Sequence, residues 1–384
     1  MKHKFLLLSV SLGVACSATA QLNVPGDGSD GAFNPLGTNF VVDLSQAVTG
    51  AWDANNAANA GKGVYDASKW AIVFKYQSVN IPSNTTVTFI NHPSYAPVVW
   101  LVQSNVTVDG VISLNGQNGV GGIAALVPTE PGPGGFRGGA YGPSGNGAGL
   151  GPGGGLRNNG DPGAYVPYYG NSQIIPLIGG SGASARDVSG SGAGGAILIA
   201  VRGTLLLNGT LSSRGGFSGP EQHGSAGAVR IIANGVLGTG QIDCSYYNAG
   251  RIRLETPNLA TTIRTYPETI KVAPAIPPMI WPPANAPTAR IVSVASTSTP
   301  ADPTAPLVNA ADVSLTVNGN AAVLVETRNF PIEGVVQVRA ASKFGGYTWT
   351  TCTLVSGNFA VATWSATVTF PPGFTTLQAR ATAP

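Results

Sequence analysis

The sequence predicts an all-β protein: a parallel β-helix (a solenoid) followed by a small immunoglobulin- or fibronectin-like β-sandwich. Two observations carry the first domain. Four segments, beginning at Val98, Ile197, Ala228 and Ala249, align over fifteen residues without a gap, and self-similarity at a fixed short period is the mark of a stacked coil. Within each segment apolar residues alternate at period two, which marks strands. The ninth and eleventh places hold Val106/Val108, Leu205/Leu207, Val236/Gly238 and Pro257/Leu259, and the fifteenth holds Ile112, Leu211, Ile242 and Ile263. A third observation carries the second domain. Seven short alternating stretches separated by turns follow within residues 288–384, the texture of a two-sheet sandwich.

Taken in chain order, residues 1–20 read as an export signal. Lys2 and Lys4 form a basic start, Phe5 to Val14 an apolar stretch, and Ala18-Thr19-Ala20 a small-residue cleavage site before Gln21. The competing reading, lipidation of Cys16, is disfavoured because Gly13 stands where a bulky aliphatic residue is usual. No later apolar run reaches membrane length and the chain ends TTLQARATAP, so the mature protein is expected to be exported, soluble and extracellular or at the cell surface, with no membrane span. Loss of the two lysines lowers the formal charge from +3 to +1. Without a basic cluster, nucleic acid is excluded as a partner. The mature cysteines, Cys244 and Cys352, fall in different expected domains, so no disulfide framework is expected; both read as small buried residues.

Residues 21–272 form the expected β-helix domain, its polar start to about Lys69 acting as a cap over the first exposed strand edge. The 21-residue spacing from Ile242 to Ile263 corresponds to a path of about 70 Å at ~3.3 Å per residue, enough for a closed rung. FKYQSVNI (74–81) and TTVTFI (85–90) read as earlier strands. With Val99/Leu101, Leu198/Ala200 and Val229/Ile231 assigned to the interior, Trp100, Val102, Ile199 and Val201 face outward and need a cover. The insertion 116–195, which holds 27 of the 53 glycines, is expected to supply it. Glycines at every third place, in Gly132/Gly135/Gly138 and Gly139/Gly142/Gly145, suit an extended threefold helix whose backbone packs closely. Residues 273–287 are a proline-rich linker expected to be extended and stiff, and 288–384 the sandwich.

Candidate chemistry is sparse. Glycoside hydrolysis needs two carboxylates about 5–10 Å apart, yet Asp109 and Asp243 fall in different columns. Arg230 and Arg251 are expected at one outward place on neighbouring rungs, with Arg253 two places on. Such a strip suits acidic groups, unless Glu255 and solvent satisfy it. Asp27, Asp30 and Asn34 lack the spacing of a calcium loop and read as a turn-rich cap. His92 and His223 have no partner at zinc-ligand spacing. No metal, cofactor or catalytic residue is assigned. In the insertion, Phe136, Tyr141, Tyr165, Tyr168 and Tyr169 lie near Arg137 and Arg157. Their rings could stack on sugars or pin the insertion to Trp100.

GDGSDGAFNP (from Gly26), PVVWLVQSNVTVDGVISLNG, PGPGGFRGG and GGAILIAVRGTLLLNGTLSSRGG resemble a group of exported glycine-rich bacterial proteins of right-handed parallel β-helix type. The resemblance covers most of Gln21 to about Tyr266 and implies architecture and export but no reaction. The resulting expectation is a secreted or cell-surface structural or adhesive protein with polysaccharide as partner, or itself through end-to-end filament assembly. The alternative is a polysaccharide lyase or glycoside hydrolase working on the outer face of the coil.

Overall fold

The computed structural model describes residues 22–384 apart from 60, 144, 154–168, 219–222, 246–248, 261, 303–310 and 317. The export signal with Cys16, and Arg157, Tyr165 and Tyr168 of the insertion, lie outside the described residues. The protein is mostly β. No α-helix occurs among the described residues, only three short 3-10 turns.

Up to Val272 the chain alternates between two long parallel sheets. Ala71–Ile81, Val98–Val102 with Val106–Val108, Ala196–Leu207, Ala228–Leu237, Arg251–Glu255 and Ile270–Val272 belong to one sheet. Asn39–Asp43, Thr86–Ile90, Val111–Ser113, Thr210–Ser212, Gln241–Asp243 and Arg264–Tyr266 belong to the other. After each visit to the second sheet the chain comes back beside the strand it left. The expected register holds where it is best marked: Ile197 lies opposite Val98, Leu205 opposite both Val106 and Val236, and Leu211 opposite both Ile112 and Ile242. Elsewhere it slips. Ile197 faces Val229 rather than Ala228, and an irregularity between Val201 and Thr204 restores the alignment. The fourth row slides by two: Ala228 lies opposite Arg251 and Ile242 opposite Thr265. A slip of two leaves the same side chains inward, whereas a slip of one exchanges the faces.

In the first two rungs the expected faces are exchanged, at Val99/Leu101 and Leu198/Ala200, whereas Val229 and Ile231 face inward as expected. Val98, Trp100, Val102, Ile197, Ile199, Val201, Val229 and Ile231 line the main core together with Val106, Val108, Ile112, Leu205, Leu207, Leu211, Val236 and Ile242. Val99, Leu101, Leu198, Ala200 and Ile232 point the other way. Counting back in twos from Ile112 reaches Val108, Val106, Val102, Trp100 and Val98, so one unbroken alternation runs through the rung. Both faces are apolar because both are buried. Leu22, Val24 and Ile280 cover the second face, with Trp52, Leu177 and Trp281 packed against them. The proline-rich segment therefore lies along the sheet, its Trp281 ring 5.5 Å from that of Trp52.

The glycine-rich insertion is ordered where it is described, and part of it has the expected threefold geometry. Ser189, Gly192 and Gly195 donate their amides to Val120, Gln117 and Leu114, while Gly190, Ala193 and Ala196 donate to Gly139, Phe136 and Pro133. Gly194 donates in a third direction, to Ser225. A strand would alternate between two neighbours; a return to the same neighbour at every third residue means three residues per turn. Glycine is required because backbones touch: a Cβ on Gly182 would strike the Arg137 carbonyl, and one on Gly190 the Ala183 carbonyl. The second glycine triplet behaves otherwise, since Tyr141–Gly142 pairs antiparallel with Gly145–Asn146 as a small hairpin.

Residues 288–384 form antiparallel sheets consistent with a sandwich. The larger sheet joins Thr297–Ser298, Thr288–Val294, Gly319–Arg328, Val361–Phe370 and Thr353–Gly357; the smaller joins Tyr347–Thr351, Val335–Ser342 and Thr375–Thr382. Val323, Val325, Val336, Val338, Trp364 and Val368 fill the space between them. The stretch YTWTTCTLV is two strands, not one: it changes sheets at buried Cys352. DVSLTV, an expected strand, is irregular over its described residues. The smaller sheet docks on the insertion, where the Arg339 Nη2 donates to the Gly149 carbonyl at 2.9 Å and the guanidinium stacks on Tyr347 at 4.2 Å.

Candidate functional site

Where the sandwich meets the parallel sheets and the insertion, it leaves a cleft of about 670 Å³. That is the size of a small-ligand site. One wall carries Trp70, Tyr95, Phe136 and Arg137; the other carries Ile291, Leu315, Phe370, Phe374 and Leu377, with Arg290 and Asp312 alongside.

Trp70 and Tyr95 on the first wall are each fixed by the local chain. The Asp66 side chain accepts hydrogen bonds from the Ser68 hydroxyl and from the amides of Trp52, Ser68 and Lys69. Burial alone would raise its carboxyl, but these bonds outweigh burial and hold it below the usual range. The turn delivers Trp70 with φ 46°, its indole N–H donating to the Ser94 carbonyl at 3.0 Å. A second turn, Asn91 to Tyr95, closes through the Tyr95 amide and the His92 carbonyl at 2.8 Å, with a His92 Nδ1–Ser94 Oγ bond of 2.8 Å inside it. It delivers Tyr95 with φ 54°. The Arg137 guanidinium lies 4.6 Å from the Tyr95 ring centre and bonds its hydroxyl, and Glu130 accepts from Arg137 Nε at 2.9 Å. Burial, and then the Glu130 charge, push the Tyr95 hydroxyl far up, so it stays neutral.

Across the junction, the Tyr65 hydroxyl donates to Asp302 at 2.6 Å and joins the two parts of the molecule. Burial and this acceptor push the tyrosine up to about 12. Burial also lowers His92, whose ring lies tilted against Tyr65 at 4.2 Å, and raises Asp312, the latter helped by the Asp302 charge.

Of the residues singled out from the sequence, Phe136 and Arg137 are the two that line the cleft. Tyr141 sits outside it on its hairpin, 36% exposed. Tyr169 is pinned inside the insertion: its hydroxyl donates to the Gly179 carbonyl at 2.7 Å and its ring lies under Arg251 at 5.4 Å. Tyr165 and Tyr168 are not among the described residues. The basic strip is not a strip. Arg230 lies opposite Arg253, while Arg251 lies opposite Ala228. Arg230, 2% exposed, and Arg253 both donate to Glu255 Oε1 at 2.8 Å. Arg253 and Arg251 also hold the Ser172 and Ile178 carbonyls, so these cations brace the insertion against the sheet. The physical reason is the two-residue slip, which brings Glu255 beside two arginines at once.

The acids are likewise committed. Asp109 accepts from Asn208 at 2.7 Å, and Asp243 accepts from Arg214. Asp27 pairs with the buried Lys75 at 3.1 Å, and Asp30 accepts from Asn56 and from the Gly61 and Lys75 amides. These bonds organise the cap. No group of three potential metal ligands occurs among the described residues. Burial pushes both thiols up, Cys352 to about 11 and Cys244 further. Composition pointed to the insertion's own aromatics and passed over Trp70 and Tyr95. The signal available for them was a large ring at the last position of a polar turn, in a chain that places glycine at many such positions. Compared with family models, with curated proteins and with solved structures, the chain matches none.

Proposed function

We propose that this is an exported cell-surface protein with a structural and adhesive role, whose ligand is polysaccharide. Its first domain is read as a right-handed parallel β-helix and its second as an immunoglobulin-like module. Alternation of the chain between two parallel sheets supports the coil, and the right-handed sense is the one that parallel crossovers take. The observation that carries the adhesive reading is the cleft at the junction, with its aromatic wall held in place by Asp66, Ser94 and Arg137. Rigid aromatic faces beside a few polar groups suit recognition of a chain of sugar rings. Binding is favoured over cleavage because the expected basic strip and the acids Asp109 and Asp243 are already paired within the protein.

Co-sedimentation with insoluble polysaccharides and affinity electrophoresis in soluble ones test this reading. Retention by at least one glycan, without new reducing or unsaturated ends, is the expected result. Failure to bind any member of a broad panel would overturn it, and released oligosaccharide would favour the lyase or hydrolase alternative. Self-assembly is the second reading, favoured by Asn39–Asp43 and Arg264–Tyr266 being the outermost strands of the second sheet among the described residues. Light scattering that rises with concentration would support it, and a stable monomer would count against it.

A further inference from the structure

Resting on the polysaccharide reading, we infer that the junctional cleft is the glycan site, that Trp70, Tyr95 and Phe136 are its stacking platforms, and that its ligand is an uncharged glycan. The first argument is conformational. Trp70 and Tyr95 both have a left-handed backbone, with φ of 46° and 54°. A bulky residue there is strained, whereas glycine adopts the same turn freely. This chain has 53 glycines and uses them at positive φ in many turns. Six non-glycine residues among those described share this conformation; Trp70 and Tyr95 are the two aromatics among them, and both line the same cleft. Strain of this kind is retained where the surroundings impose it, and it clusters at binding sites.

The second argument concerns charge. Arg137 is neutralised by Glu130 and covered by Tyr95, so it acts as a support for the ring. Among the described residues, Arg290 and Asp312 are the other charged side chains at the cleft, and they are of opposite sign. The cleft therefore offers an acidic sugar no net attraction, and it offers apolar ring faces from both walls. Arg230 and Arg253, which the sequence suggests for acidic ligands, are committed to Glu255. The ligand chemistry that fits is a neutral hexose polymer, whose C–H faces stack on aromatic rings while its hydroxyls reach the polar rim.

The test is affinity electrophoresis and calorimetry of the full chain against soluble uncharged glucans, mannans and xylans and against polygalacturonate and alginate. Trp70→Ala and Phe136→Ala are compared with Tyr141→Ala outside the cleft, each checked for an unchanged thermal transition. Trp70→Phe is the rescue variant if Trp70→Ala disturbs folding. A neutral glycan is expected to bind with little dependence on salt. Loss of either cleft aromatic should weaken it about tenfold or more, with Tyr141→Ala unchanged. Binding confined to acidic glycans, or binding indifferent to both cleft variants, would overturn the assignment of site and ligand while leaving the adhesive reading intact. Absence of binding to any polysaccharide would overturn both.

Discussion

At the scale of the residue, the most exposed test of the electrostatic account is Glu255. Its side chain and that of Arg230 are each 3% exposed, so removing the acid strands a guanidinium out of water. Glu255→Ala should cost about 3–5 kcal/mol, because an uncompensated buried charge is worse than a missing pair. Replacing both partners with apolar residues, as in Arg230→Met with Glu255→Leu, should recover most of that loss in a denaturant titration. Arg253 is part of the same triad but better solvated, so Arg253→Ala should cost far less. Asp66 and Asp243 make a second residue-scale prediction. In both, burial raises the carboxyl, but the hydrogen bonds taken together, with Arg214 added for Asp243, outweigh it and hold the group below the usual carboxylate range. A carboxyl depressed in the folded state contributes stability that is complete above its unfolded pKa and is lost as pH falls through the folded one. The melting temperature should therefore fall steeply below pH 4, and Asp66→Asn and Asp243→Asn should each flatten that acid arm. An unchanged arm in both variants would remove these carboxylates from the acid response.

At the scale of the element, the threefold segments of the insertion are held by close backbone contact and not by side chains. Gly190→Ala should therefore destabilise by about 1–3 kcal/mol, as overpacking does, and raise amide exchange at Ala193 and Gly192 before it affects the strand Val111–Ser113. Exchange rates that do not change would mean that this segment is not packed as described. The strands themselves show what a sequence can and cannot disclose. The column Ile112, Leu211, Ile242 was legible because Val111–Ser113, Thr210–Ser212 and Gln241–Asp243 have one apolar and one more polar face. The phase of Val98–Val102 was not legible locally, because all five of its residues are buried and hydrophobicity is the same on either face. It was recoverable from Val106 and Val108, since alternation carries through unless a bulge intervenes. The threefold pattern in the insertion was legible from glycine spacing, yet Gly139, Gly142 and Gly145 carry the same spacing and form a hairpin. Spacing allows close approach; it does not decide which backbone approaches.

At the scale of the whole molecule, the cleft is a property of how two antiparallel sheets are seated on two parallel ones. Neither wall is a site alone. Phe136 and Arg137 were visible in the sequence as a candidate pair, but Tyr95 reaches Arg137 across 42 residues and Phe374 faces them from more than 200 residues away, which no local pattern encodes. The seating depends on a few named contacts: Arg339 on Gly149, Phe344 against Gly142, and Tyr65 on Asp302. If they hold, the two walls keep one separation and the aromatic platforms face a fixed partner.

The most direct measurement is electron–electron distance spectroscopy between spin labels at Thr239→Cys on the parallel sheets and Val355→Cys on the sandwich. Both sites are exposed, whereas the native Cys244 and Cys352 are buried with raised thiols and should resist labelling. A single narrow distance distribution that broadens in Arg339→Ala is the predicted result. A broad distribution in the parent protein, with the sandwich swinging on residues 273–287, would contradict a walled cleft and the ligand site built on it.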